Sequence, residues 1–167
     1  MHNELIYQGK HTNLSLEKHE EFGSVVVKSL NNEYPTPQVI DKFLHEYELC
    51  KDLNLSGVRK ALAWEKKKQS HRIYMEYVDG ITLSEYILTN PSLKDVLVVF
   101  CSLSNVLSEL HQKSVIHNRL SPDNILLKTD TLTVMLIDLS ESTKYSLKSS
   151  HMGNPSKLDG DIHYMAP

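Results

Sequence analysis

Five residues of one segment do most to limit the fold. Val39, Phe43, Glu46, Cys50 and Leu53 recur at steps of four and three, so in a helix they share one face. Asp41, His45, Glu48 and Asp52 fall on the other, polar face. A carboxylate thus interrupts an apolar stripe. Buried unpaired charge is costly, so either the element under this helix supplies a cation or Glu46 edges the stripe and reaches solvent. The natural cation is Lys28, which closes the β-branched run Val25-Val26-Val27. Thr36 followed by Pro37, a cap residue and a proline at the first helical position, predicts a helix from there to about Leu53.

Around that pair the chain reads strand, strand, helix. Leu5-Ile6-Tyr7 is a short apolar run, and a polar loop extends through Phe22-Gly23 to the Val25 strand. After Ser56-Gly57 come two strands, Val58 to Trp64 and Arg72 to Tyr77, with Glu65-Lys66-Lys67-Lys68 as a solvated hairpin tip. Asp79-Gly80 breaks the chain, and Leu83 to Leu88 is a short helix. Leu93, Val96, Leu97, Phe100, Leu103, Leu107 and Leu110 then form a stripe that predicts a long buried helix, with Ser92 and Asp95 placed as a capping box. Ile125-Leu126-Leu127 and Thr133 to Ile137 are short strands joined by a turn, and Glu141 to Gly160 reads as a mobile segment.

The 167 residues are ample for one compact domain or two small lobes, and a net charge of -3 gives no basic excess for nucleic acid or an anionic membrane. No apolar stretch approaches the roughly 18 residues a spanning helix needs, and Met1 is followed by no apolar signal core, so the expectation is a soluble, cytoplasmic protein. Cys50 and Cys101 sit among apolar neighbours and read as buried free thiols.

A second constellation lies downstream. His117-Asn118-Arg119-Leu120-Ser121-Pro122-Asp123-Asn124 leads into a strand, and the next strand ends in Asp138. A loop presenting Asn124 and a strand closing on Asp138 can bring two oxygen ligands to one mouth. That suits Mg²⁺, which takes few protein ligands and completes its shell from phosphate and water. Either residue alone could be an ordinary turn former.

In order and spacing these segments resemble the protein kinase signature set. Val25-Val26-Val27-Lys28 resembles its V-A-I-K, Glu46 its C-helix glutamate, and Tyr74-Met75-Glu76-Tyr77-Val78 its hinge. Val115 to Leu127 resembles the catalytic loop, Asp138-Leu139-Ser140 the D-F-G, and Tyr164-Met165-Ala166-Pro167 the opening of A-P-E. The resemblance implies an α+β, bilobal kinase-like fold that is incomplete: a small antiparallel sheet with the C-helix over residues 1–78, and the first half of the helical C-lobe over 79–167. It implies ATP and Mg²⁺ as ligands. Lys28 would hold phosphates and pair with Glu46, Asn124 and Asp138 would bind the metal, and Met75, Glu76, Tyr77 and Val78 would receive the adenine, with Met75 as gatekeeper. His117 would pack beneath the metal loop. Asn32-Glu33-Tyr34-Pro35-Thr36-Pro37, with Phe43 and His45-Glu46-Tyr47-Glu48, resembles more narrowly the kinase-like domain that opens large hybrid sensor histidine kinases, which implies further sensor and histidine kinase domains in a longer chain.

Departures from the pattern are as informative. Arg119 occupies the place of the catalytic-base aspartate, and a guanidinium cannot accept a proton at neutral pH, so no catalytic residue is intact. Ser121 replaces the lysine that contacts the transferring phosphate, and Ser140 the D-F-G glycine. Asn118 replaces the arginine that pairs with an activation-segment phosphate, which weakens Ser149, Ser150 or Ser156 as switches. If Ile6-Tyr7 is the second strand, the first strand and the Gly-rich loop lie upstream of Met1, and Gly9 cannot rebuild them. The chain also stops before the A-P-E glutamate, as a fragment would. Three functions stay open: a regulatory pseudokinase that binds ATP-Mg²⁺, an active Ser/Thr kinase when full length, or an interaction domain without nucleotide. Protein partners and substrate are not legible.

Overall fold

The computed structural model describes residues 4–31, 34–67 and 70–145. They fall into two compact units, Met1–Asn54 with Arg59–Val78, and Leu55–Val58 with Asp79–Pro167. The expected single cut after residue 78 is therefore interrupted by Leu55–Val58, which belongs to the second unit.

The first unit is an antiparallel sheet and one helix. Its strands are β1 (Glu4–Gln8), β2 (Thr12–His19), β3 (Gly23–Leu30), β4 (Ala61–Lys67) and β5 (Ser70–Glu76), ordered β1-β2-β3-β5-β4. Central β3 pairs along its length with β2 and from Val25 to Ser29 with β5, so its β-branched residues are buried on both faces of the sheet. Val25 and Val27 pack with Tyr74, Phe22, Leu62 and Ala63 on one face. By the two-residue period Val26 and Lys28 project from the other.

Two sequence expectations fail here. Thr12–His19 is a strand rather than loop, so Lys28 lies on the third strand of the described residues, where the kinase lysine belongs. The link between the first two strands is the turn Gly9 to His11. It is closed by Gly9 N–H to Thr12 O (2.8 Å) and tied to the end of β3 by Asn31, whose Nδ2 donates to Gly9 O (2.6 Å) and whose N–H donates to His11 O (3.0 Å). Likewise, Glu65 to Lys67 continue β4 instead of forming the hairpin tip. Glu65 accepts from the Tyr74 hydroxyl (2.9 Å) and lies 2.8 Å from Lys67. Lys68 lies outside the described residues.

Helix α1 (Pro37–Asp52) starts at the expected cap, Thr36, with Pro37 in the first turn. Its buried residues are Phe43, Glu46, Leu49 and Cys50. Phe43 meets the His71 ring edge-on, and Tyr47 lies against Trp64, which fixes α1 on the β4-β5 side of the sheet.

The second unit holds α2 (Leu83–Ile87), α3 (Leu93–Gln112) and short strands: β6 (Ile81–Thr82), β7 (Val115–Ile116), β8 (Ile125–Lys128), β9 (Thr133–Leu136) and β10 (Thr143–Lys144). β6, β8 and β9 form one sheet in that order, and β7 pairs with β10. Ser92 caps α3 by accepting from Asp95 N–H (3.2 Å), as its sequence predicts. The helix is buried along only part of its predicted stripe. Val99, Val106 and Leu110 are its buried residues, whereas Leu93, Leu97 and Phe100 are 75%, 56% and 62% exposed. The face turned to β7 and β9 is only part of an apolar circumference, and periodicity cannot say which part finds a partner. Cys101 shares the exposed side, which corrects its reading as a buried thiol; Cys50 is buried. Ser102 accepts from Val134 N–H (3.1 Å), and Leu136 N–H donates to Gly57 O (2.8 Å), so α3 and the 55–58 segment both anchor β9. No helix among the described residues is long and apolar enough to cross a membrane.

Candidate functional site

Each unit gathers part of the predicted chemistry. In the first, Lys28 Nζ donates to Glu46 Oε2 at 2.5 Å, with the two residues 8% and 2% exposed. Glu46 therefore does not edge out to solvent. The sheet sets Lys28 on its α1-facing side, the helical period sets Glu46 on the face toward the sheet, and each charge is the other's partner in the core. Following Tyr74 in β5, Met75 is buried and pairs with Val26 and Ala61, and Glu76 N–H is committed to Lys60 O (3.0 Å). Val78 is buried and Tyr77 is exposed.

In the second unit His117 is the hub. It is 2% exposed, its Nδ1 accepts from Arg119 N–H (3.3 Å), and its Nε2 lies 3.1 Å from Ile137 O. Those partners require the neutral tautomer with the proton on Nε2. Burial holds its pKa below the ordinary imidazole value. The expected packing role beneath the loop is what its contacts describe. Asn124 Nδ2 donates to Arg119 O (2.9 Å), and Ile137 N–H donates to Asn124 O (3.0 Å), which brings the strand end carrying Asp138 against the loop carrying Asn124. Asp138 itself sits at φ 60°, a left-handed conformation that costs a non-glycine residue energy and is tolerated where surrounding contacts hold it.

Two contacts at Asp138 were not legible in the sequence. Ser140 Oγ donates to Asp138 Oδ1 (2.9 Å), and Arg119 Nη1 lies 3.8 Å from Asp138 Oδ2. Both residues stood out as departures from the kinase pattern, but nothing in their spacing put them on the same carboxylate. Asp123, the nearest acid in sequence to a substitute base, is exposed and accepts from Ser84 Oγ at 2.5 Å.

The loop also holds the start of the following segment. Asn118 Nδ2 donates to Glu141 O (2.9 Å) and Thr143 Oγ1 (2.7 Å), and Ser142 Oγ donates to His117 O (3.2 Å). Residues 141–145, expected to be mobile, are thus bonded to the loop and to β7. Ser149, Ser150, Ser156 and the Tyr164 to Pro167 motif lie outside the described residues.

For Mg²⁺ the donors are one amide oxygen and one carboxylate, and the described residues contain no cluster of three or more His, Cys, Asp or Glu able to hold a metal. Two such donors could serve only beside phosphate oxygens and water. The Asp138 carboxylate, however, already faces a hydroxyl and a permanent cation. A Mg²⁺ at this carboxylate would share it with the Ser140 hydroxyl on one oxygen and with a half-exposed guanidinium 3.8 Å from the other.

The family model for the protein kinase domain matches residues 3–167. The chain belongs to the protein kinase domain family. Its relatives include the serine/threonine-protein kinase PrkC of Bacillus subtilis, 26% identical over 86% of this chain and 22% of the relative. The probable serine/threonine-protein kinase PknB of Lactococcus lactis is 25% identical over 97% of this chain and 25% of the relative. A probable serine/threonine-protein kinase of Dictyostelium discoideum is 29% identical over 97% of the chain and 9% of the relative. The chain spans a quarter or less of the length of these three kinases. The kinase-like α+β fold read from the motifs is the fold of the family, whose members generally use ATP and Mg²⁺.

Proposed function

We propose that this kinase domain is a regulatory pseudokinase module, one that binds ATP through the phosphate-holding lysine of its family and does not transfer the phosphate. The observation that carries the reading is a pairing of retention with loss. Lys28 and Glu46 form a buried ion pair, while the base position holds Arg119. A buried pair contributes little net stability compared with well-packed apolar residues, so its presence fits a chain that still uses the cation. Phosphate transfer, by contrast, lacks a proton acceptor, and the glycine-rich cradle is reduced to a tethered turn with Gly9. Adenine is assigned to the backbone of Met75, Glu76, Tyr77 and Val78.

Asn118 supports a module that does not depend on activation-segment phosphorylation. An amide bonded to Glu141 and Thr143 does by hydrogen bonding what a phosphate pairing with arginine would do. The motif from Asn32 to Pro37, of which Asn32 and Glu33 lie outside the described residues, supports the narrower assignment to the kinase-like domain of a hybrid sensor histidine kinase. Adjoining coding sequence with ATPase and histidine kinase segments would bear that out.

The test is thermal unfolding with and without ATP, paired with radiolabel transfer to a generic protein substrate. ATP should raise the unfolding temperature, Lys28→Met should remove the rise, and no label should be transferred. The names of the relatives favour a second reading, an active Ser/Thr kinase in its full-length form. Label transfer by the full-length protein, lost in Lys28→Met, would establish that reading in place of ours. An unfolding temperature indifferent to ATP would leave an interaction domain without nucleotide.

A further inference from the structure

Two departures of this chain from the kinase pattern, an arginine for the base aspartate and a serine for the D-F-G glycine, converge on one carboxylate. Ser140 Oγ donates to Asp138 Oδ1 (2.9 Å), and the Arg119 guanidinium stands 3.8 Å from Oδ2. We infer that Arg119 is a built-in counterion for Asp138, and that this domain takes its nucleotide without a divalent cation. The inference rests on the ATP-binding reading above.

Charge and geometry argue it together. In a kinase the carboxylate at this place is there to hold a metal that neutralises phosphate charge. Here a cation that cannot be titrated away stands 3.8 Å from it. A divalent ion entering beside Asp138 would meet the guanidinium's positive charge at close range and would have to compete for an oxygen bonded to the Ser140 hydroxyl. The contact at 3.8 Å is an ion pair rather than a hydrogen bond, so the guanidinium keeps donors for another acceptor. Its planar fork suits a phosphate, and the side chain is half exposed, so it can be reached from solvent.

Position is secured from the backbone. Arg119 N–H is bonded to His117 Nδ1, and its carbonyl accepts from Asn124 Nδ2 at 2.9 Å. The Asn124 amide nitrogen, which is not a metal-ligating atom, holds the arginine's carbonyl. His117, by donating to Ile137 O, links the same peptide to the strand end that carries Asp138. Arginine and aspartate are thus presented by two segments tied at several points.

The experiment is ATP binding by isothermal titration calorimetry on the whole chain, in MgCl₂ and in EDTA, for the natural sequence, Arg119→Ala and Arg119→Lys, with circular dichroism to verify folding. The natural chain should bind ATP equally in both buffers. Arg119→Ala should bind about tenfold more weakly in EDTA than in MgCl₂, the loss expected for one charged contact to phosphate that the metal can now replace. Arg119→Lys should keep most of the binding in EDTA. Binding by the natural chain only with MgCl₂ would overturn the inference and leave the ATP-binding reading intact, as would an Arg119→Ala variant indifferent to buffer. Absence of binding in both buffers would overturn both. Should Arg119→Ala fail to fold, Arg119→Gln, which keeps the length and removes the charge, is read by the same criteria.

Discussion

Removing one member of the Lys28–Glu46 pair should be far more damaging than removing both. Lys28 and Glu46 are 8% and 2% exposed, and their charged atoms meet at 2.5 Å. Both charges are therefore largely desolvated. In Lys28→Met the Glu46 carboxylate keeps its desolvation and loses the lysine's charge, and in Glu46→Leu the buried ammonium loses this carboxylate instead. Each single change should cost about 3–5 kcal/mol, whereas the double variant, with two apolar side chains of similar volume facing each other, should lie near the natural stability or above it. For a domain of this size that is a fall of about 6–20 °C in Tm for each single variant and a recovery in the double. Glu46→Leu should be the milder of the two, because a lysine stem can bend its amine toward the surface. Urea unfolding followed by circular dichroism, run as a double-mutant cycle, reads the coupling directly. Costs that add to within about 0.5 kcal/mol would refute the reasoning, since independent sites add and a buried pair cannot.

Two further outcomes follow from burial elsewhere. Desolvation lowers the pKa of His117 and of His71, with the Lys66 charge also acting on His71. The unfolded chain therefore takes up protons first: stability is full above the unfolded imidazole value of about 6.5 and falls as pH drops from there toward the lower folded values. The urea midpoint should decline between about pH 7 and pH 5, and His71→Phe should flatten that decline, because His71 Nδ1 is buried without a hydrogen-bond partner among the described residues. An unchanged slope in the variant would remove His71 from the account. At Gly57, a Cβ would run into the Val106 side chain of α3, so Gly57→Ala should cost about 1–3 kcal/mol, and adding Val106→Ala should recover part of it. A double variant less stable than Gly57→Ala alone would contradict this close approach.

Local chemistry made some elements legible and hid others. The α1 segment announced itself twice, by its period and by the Thr36-Pro37 start, and both signals belong to residues within one element. The second strand was missed although Asn13-Leu14-Ser15-Leu16-Glu17 alternates polar and apolar, because alternation over five residues competes poorly with a polar flank rich in His, Lys and Glu. On α3 the apolar positions were plain, but the part of the circumference that β7 and β9 cover is a property of those strands. The hairpin lysines misled for a related reason, since a strand edge in solvent and a turn in solvent favour the same residues.

By itself the sequence determined which charges must be reconciled. A carboxylate on an apolar helical face demanded a cation, and an arginine at the base position ruled out proton acceptance, because both follow from residue chemistry at known spacing. Only the tertiary structure decided where that arginine points. Arg119 and Asp138 are nineteen positions apart, and Ser140 reaches the same carboxylate from the other side. Their meeting depends on the hydrogen bonds of His117, Asn124 and Ile137 that fold loop and strand end together. Spacing along a chain fixes neighbours within one helix or strand, whereas contacts between a loop and a distant strand end exist only once both have been folded into place.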